Sequence, residues 1–217
     1  MKAPLSWLKD YVEIDVSAEE LAEKLFSCGF EVEELLYLGN KIDRVVVGQV
    51  KSLAPHPDSD HMRVCVVDCG EKYGRDIQIV TGAPNVYEGM KTPCALDNST
   101  VCETNPAALE KNPDGIKKIK KGKLRGVESL GMLCSGEELG INDDFYPGAE
   151  TDGLLDLGKD APVGEDIKKV VGLDDWIFDI SVTANRPDCQ SILGIAREVA
   201  AVCKKPLKEP EYSFSED

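Results

Sequence analysis

Aromatic residues are scarce, at 6% of 217 positions, and there are only two histidines, His56 and His61. Neither histidine stands at a recognisable spacing from a nucleophile, so a Ser–His or Cys–His catalytic arrangement has no support. The chain lacks both G-x-x-x-x-G-K-[ST] and G-x-G-x-x-G, which removes the two best-known glycine-rich phosphate cradles. No apolar run approaches the roughly 20 residues that span a bilayer. The opening MKAPLSWLKDY brings acidic residues soon after a short apolar patch, unlike a secretory signal. A cytoplasmic protein with no membrane partner is expected. The eight cysteines, at 28, 65, 69, 94, 102, 134, 189 and 203, are too scattered for a disulfide scaffold, so buried thiols are expected. Cys65 and Cys69 form a lone C-x3-C with no second pair and no suitably spaced histidine, which argues against zinc. Carboxylates are so abundant that no pair stands out for acid–base work. These absences together predict a non-catalytic chain with no cofactor or metal of its own.

What is present is enough apolar sequence for a core: 42% hydrophobic, against 30% charged and 12 prolines, a balance unlike that of a disordered or collagen-like chain. The net charge of -15 argues against a protein that coats nucleic acid with its whole surface. It leaves room for a local phosphate-binding patch, because attraction depends on where the charges sit.

The charges are segregated. Residues 1–40 hold three lysines against nine carboxylates and read as helical. Leu5, Leu8 and Val12 make one apolar face behind Pro4. Ser17 and Glu20 make an S-x-x-E capping box ahead of Leu21 and Leu25, and Gly29 supplies a stop. From Arg44 the period changes: RVVVGQVKSLA, MRVCVVDCG and RDIQIVTG are rich in β-branched residues and are separated by HPDSD and GEKYG, which read as turns. Weaker strands are expected around 92–96 and 99–102. The pattern suits a small oligonucleotide-binding barrel or a generic sandwich. Between Lys111 and Arg125 seven basic residues face the single Asp114, a local +6 that reads as a solvated loop or an anion-facing lobe. From 137 to 180 the balance reverses, with thirteen carboxylates against three lysines. LLDLG and DWIFDISVT read as strands, the latter with Ile177 and Ile180 inward. A helix after Arg186-Pro187 places Ile192, Ile195, Ala196 and Val199 on one side.

Several blocks resemble the N-terminal part of the bacterial phenylalanyl-tRNA synthetase beta-subunit family. LSWLKDYVEID and FSCGFEVEEL resemble its entry helices. VVVGQV, HPDSDHMRVCVVDCG, IVTGAPNV and KKIKKGKLRGVESLGMLCSGEELGI resemble its embedded tRNA-binding barrel, and NRPDCQSILGIAREVA the segment leading towards editing domains. The blocks occur in family order over nearly the whole chain.

The resemblance implies an α+β fold: a small discontinuous α/β domain with an inserted oligonucleotide-binding (OB-fold) β-barrel. Residues 1–40 and 152–200 would form the scaffold, 41–151 the barrel, and 201–217 a linker or the start of a further domain. It implies an RNA-facing surface of Asn85, Lys117, Lys118, Lys120, Lys121, Lys123, Arg125 and Ser129. Arg125 would position phosphate through its fork of donors and the lysines would attract it as mobile charges. Ser129 would donate to phosphate or ribose or cap local backbone, and Met132 and Leu133 would be core. The implied partners are tRNA(Phe) and the alpha subunit of an (alpha beta)2 heterotetramer, which attaches phenylalanine to tRNA with ATP and Mg2+. No ATP or Mg2+ ligand is assignable in these residues. A stand-alone tRNA-binding or structural protein is the alternative. Two departures stand out: His61 replaces a lysine usual in the family, and CETNPAALEKNPDGIKK is longer and more polar than the usual connection, which predicts a flexible excursion.

Overall fold

The structure is a computed structural model in which residues 1–213 are described. Along the chain the elements are β1 (Lys2–Pro4), α1 (Leu5–Tyr11), α2 (Ala18–Ser27), β2 (Glu31–Tyr37), β3 (Asp43–His56), β4 (Ser59–Asp68), β5 (Ile77–Thr81) and β6 (Lys91–Cys102). There follow α3 (Pro106–Leu109), β7 (Ile116–Lys118), β8 (Gly122–Leu124), β9 (Val127–Ser129), β10 (Gly131–Leu133), α4 (Gly136–Leu139), α5 (Ile167–Val171), β11 (Trp176–Ser181), a 3-10 turn (Pro187–Cys189) and α6 (Ile192–Cys203). Two compact units divide them: Met1–Leu38 together with the chain from Asp174 onward, and Gly39–Leu173. The first unit is thus a discontinuous α+β domain. Among the described residues no helix is long and apolar enough to cross a membrane.

In the discontinuous unit, three helices lie with an antiparallel sheet of order β1-β11-β2. Leu8, Leu21, Leu25, Phe178, Ile180, Ile195 and Val199 are fully buried together. The Ser17 hydroxyl caps α2 by accepting from the Glu20 amide at 3.2 Å. Gly29, at φ +95°, ends the helix in the left-handed conformation as expected. Three readings need correction. Residues 31–37 form strand β2, because pairing with β11 overrides the helix propensity of its glutamates. On β11 the inward residues are Phe178 and Ile180, while Ile177 is only half-buried; a period of two puts 178 and 180 on one face and 177 on the other. Past α6, Lys208 N–H donates to Tyr11 O at 2.7 Å and Leu207 bridges to Val12, so this part of the 201–217 stretch is docked. Residues 214–217 of that stretch lie outside the described residues.

Arg186 ties this unit together. Its guanidinium lies 5.1 Å from the Phe30 ring centroid, donates to both oxygens of Asp188 and also reaches Glu198 on α6. The pair holds the Asp188 carboxyl at about 2, below the usual carboxylate range.

The central unit is built on antiparallel pairings in the order β10-β6-β3-β4-β5, with β7 on the end of β6 and a separate β8–β9 hairpin. No closed barrel is formed by these pairings. The two weak strands expected at 92–96 and 99–102 are one strand, β6. Asn98, at φ +63°, bends it, and the register against β3 jumps from Thr100 opposite Asp43 to Ala95 opposite Val45. LLDLG is not a strand: its amides bond singly, Leu155 N–H to Cys134 O at 3.1 Å and Leu157 N–H to Lys91 O at 2.9 Å. Val47 N–H to Glu165 O and Gly164 N–H to Val47 O likewise fasten the stretch 152–173 to the central sheet. Cys65, Cys69, Cys94 and Cys134 are buried free thiols, and burial pushes Cys65 up to about 11.

Candidate nucleic-acid interface

Seven cations in fifteen residues repel one another, so the backbone that carries them must be held by other contacts. The long polar connection carries a short helix and a strand where a flexible excursion was expected. Asn105 caps α3 by accepting from the Ala107 amide, and β7 then pairs with β6, with Lys118 opposite Thr100 and Lys117 opposite Val101. Alternation along β7 sends its two lysines to opposite sides. Lys117 turns to Glu138, Nζ to Oε1 3.6 Å, whereas Lys118 is exposed. The bend at Asn98 takes up the next residues. Asn98 N–H donates to Ile119 O and Ile119 N–H to Ser99 O, each at 2.9 Å, and Lys121 N–H donates to Asp97 Oδ1 at 2.8 Å.

The chain then forms the β8–β9 hairpin, with Gly122 opposite Ser129 and Leu124 opposite Val127. Its two-residue turn is Arg125-Gly126, at φ +46° and +87°, both left-handed as a type I′ turn requires. His56, 4% exposed, locks this turn to the β3–β4 connection. The Asp58 amide donates to Nδ1 at 3.0 Å, so the ring proton sits on Nε2, which donates to Leu124 O at 3.0 Å. Arg125 adds a bond from Nη1 to Asp58 O at 3.2 Å. His56 therefore serves the fold, through a contact spanning 68 residues of sequence.

Lys118, Lys120, Lys121, Lys123 and Arg125 are brought together on this ordered run, all exposed. Among the described residues no ion pair engages the four lysines. Glu128 stands across the hairpin from Lys123 without pairing with it. Beneath them is a cavity of about 270 Å³ whose lining includes Val80, Ile119, Leu124 and Met132. The other predicted residues are placed differently. Ser129 is 5% exposed, and its hydroxyl accepts from Val80 N–H at 3.0 Å and donates to Gly131 O at 2.9 Å. Asn85 lies in a separate loop, where its amide group donates to Leu154 O at 2.8 Å and accepts from Leu154 N–H at 2.9 Å. Lys41 was missed: its Nζ lies 2.9 Å from where a Cβ on Gly115 would be, at the start of the basic block. Only the fold brings it there. No local signal marks it.

Comparison with known proteins gives relatives along nearly the whole chain. The chain is 45% identical over 216 residues to the phenylalanine–tRNA ligase beta subunit of Clostridium acetobutylicum, covering 100% of this chain and 25% of that protein. It is 46% identical over 211 residues to that of Ralstonia nicotianae, covering 97% and 24%. Against that of Clostridium tetani it is 44% identical over 215 residues, covering 99% and 25%. The chain thus spans about a quarter of the length of the curated relatives it matches. Residues 45–166, which include the basic run, the hairpin and the His56 clamp, match the family described as "Putative tRNA binding domain", and the chain belongs to that family.

Proposed function

We propose that the chain is the tRNA-binding and scaffolding portion of a phenylalanine–tRNA ligase beta subunit, with the basic hairpin as its phosphate-facing surface. One observation carries this reading: four exposed ammonium groups without carboxylate partners, Lys118, Lys120, Lys121 and Lys123, sit on a clamped hairpin inside a tRNA-binding family match. Arg125 positions phosphate beside them, and Lys117, tethered to Glu138, adds charge. Asn85 and Ser129 act through the loops they hold. The central unit Gly39–Leu173 is read as the inserted tRNA-binding domain and the discontinuous unit as the scaffold. An OB-type barrel is supported by Leu130 N–H donating to Gln78 O at 2.9 Å, which joins the β9–β10 connection to β5, at the other end of the strand order from β10.

By analogy with the relatives, the complete assembly attaches phenylalanine to tRNA(Phe) in the cytoplasm, as an (alpha beta)2 heterotetramer in which ATP supplies the activation and Mg2+ its counter-charge. Among the described residues, one cluster offers metal-type ligand atoms, and it does not fit Mg2+. The cluster Asp188, Cys189 and Glu198 has metal-type ligand atoms close together, but the Arg186 guanidinium already occupies it, bonding to both carboxylates and to Cys189 Sγ, so no Mg2+ role is assigned there.

The test is tRNA(Phe) binding across a salt series. About three phosphate contacts give a slope of log affinity on log salt near -3. Replacing Lys118, Lys120, Lys121 and Lys123 together with Ala should flatten that slope and weaken binding, with circular dichroism unchanged. Unchanged affinity and slope would reject the surface.

A further inference from the structure

We infer that the cavity beneath the basic hairpin receives one unstacked base of single-stranded RNA, while the lysines around it hold the adjoining phosphates. This rests on the tRNA-binding reading above and specifies which part of an RNA the surface takes. Its volume, about 270 Å³, is just below the range of about 300–1,000 Å³ that holds drug-sized ligands, which suits a single heterocycle. Val80 and Ile119 are buried in its wall, at 5% and 7% exposure, and Met132 is half-buried. Leu124, also in the lining, is 43% exposed, an apolar side chain left uncovered among cations. Lys118, Lys120 and Lys123 complete the polar part of the lining.

Apolar walls with ammonium groups at hand match the two halves of a nucleotide, a flat base and an anionic backbone. A base within a duplex keeps both faces stacked and cannot enter, so single strands are preferred. The Ser129 hydroxyl is already engaged on both sides, by Val80 N–H and Gly131 O. The Ser129 proton is therefore spent, and the lining offers no free neutral side-chain donor to read a base edge.

Gly122, at the cavity lining, has room for a side chain. It belongs to the lining, a Cβ added there meets nothing within 4 Å, and its φ is not in the left-handed region. Gly122→Leu keeps every lysine and adds an isobutyl group at the cavity lining.

The experiment uses the full chain and a short single-stranded RNA carrying 2-aminopurine, with the same RNA paired to its complement as comparison. The wild type should change the 2-aminopurine fluorescence and bind the single strand about tenfold more tightly than the duplex, the scale of burying one base face against aliphatic walls. Gly122→Leu should abolish the fluorescence change and the preference while keeping the salt slope. A folded Gly122→Leu that retains both, or a wild type that binds the two forms alike with no fluorescence change, overturns the base site and leaves the lysine surface standing. Displacement of the RNA by an acidic, leucine-containing peptide with the 2-aminopurine silent also overturns it, in favour of a protein partner. Failure to bind tRNA or any RNA overturns the tRNA-binding reading and the base site with it.

Discussion

His56→Ala separates the role of the lysines from the role of the scaffold that presents them. The substitution removes two hydrogen bonds of 3.0 Å, from the Asp58 amide to Nδ1 and from Nε2 to Leu124 O. Each contributes about 1 kcal/mol net, and because Asp58 and Leu124 are exposed, water reaches the freed groups and keeps the loss near that value. Deleting a ring only 4% exposed also leaves a cavity. The sum is about 2–3 kcal/mol. At a urea slope of about 2 kcal/mol per molar, the midpoint should fall by about 1–1.5 M with the slope unchanged. Every cation is retained, so the salt slope of tRNA binding should stay as in the wild type. Affinity should nevertheless fall, because a freed hairpin must be ordered on binding. A stability loss under about 0.5 kcal/mol, typical of ordinary surface substitutions, would refute the clamp. A salt slope that falls with the affinity would show instead that His56 itself takes part in the phosphate contacts.

Much of the fold could be read locally, and what escaped reading involved distant partners. Ser17 with Glu20, and Gly29, signalled their helix end to end because capping is a contact between near neighbours. The β-branched runs of β3, β4 and β5 were equally plain. β2 was not: EVEELLY carries helix-favouring glutamates, and only its pairing with β11, far along the chain, makes it a strand. The single strand β6 looks like two in the sequence because Asn98, in the left-handed region, breaks the pattern without ending the ladder. The candidate site divides the same way. The lysines announce themselves by charge density, a property of composition. The clamp joins His56 to Leu124, and Lys41 reaches the basic block at Gly115; neither pairing leaves a local trace. Ser129 reads in the sequence either as a donor to phosphate or ribose or as a cap for local backbone, and only the fold, by setting it between Val80 N–H and Gly131 O, selects the second.

Gly194→Ala tests the packing of α6: a Cβ there would lie 1.9 Å from Asp188 O, a backbone atom that cannot rotate away, so the cost should reach the top of the overpacking range, about 3 kcal/mol or more. Thermal unfolding within about 1 kcal/mol of the wild type at 25 °C would contradict that geometry. The last prediction concerns acid. Arg186 holds the folded Asp188 carboxyl at about 2, against an ordinary value of 3.8. A depressed carboxylate pKa means that the unfolded chain binds the proton more readily than the folded one, so the contribution is complete above about pH 4 and fades as pH falls through about 2. Asp15, lowered by Lys205, and Glu165, lowered by Lys169, act in the same direction, so the wild-type melting temperature should fall steadily over that window. Asp188→Asn cannot take up the proton. Its melting temperature should start below the wild type at pH 5 and converge on it near pH 2, whereas a constant gap between the two curves would mean that the charge on Asp188 does not contribute to holding Arg186 in place.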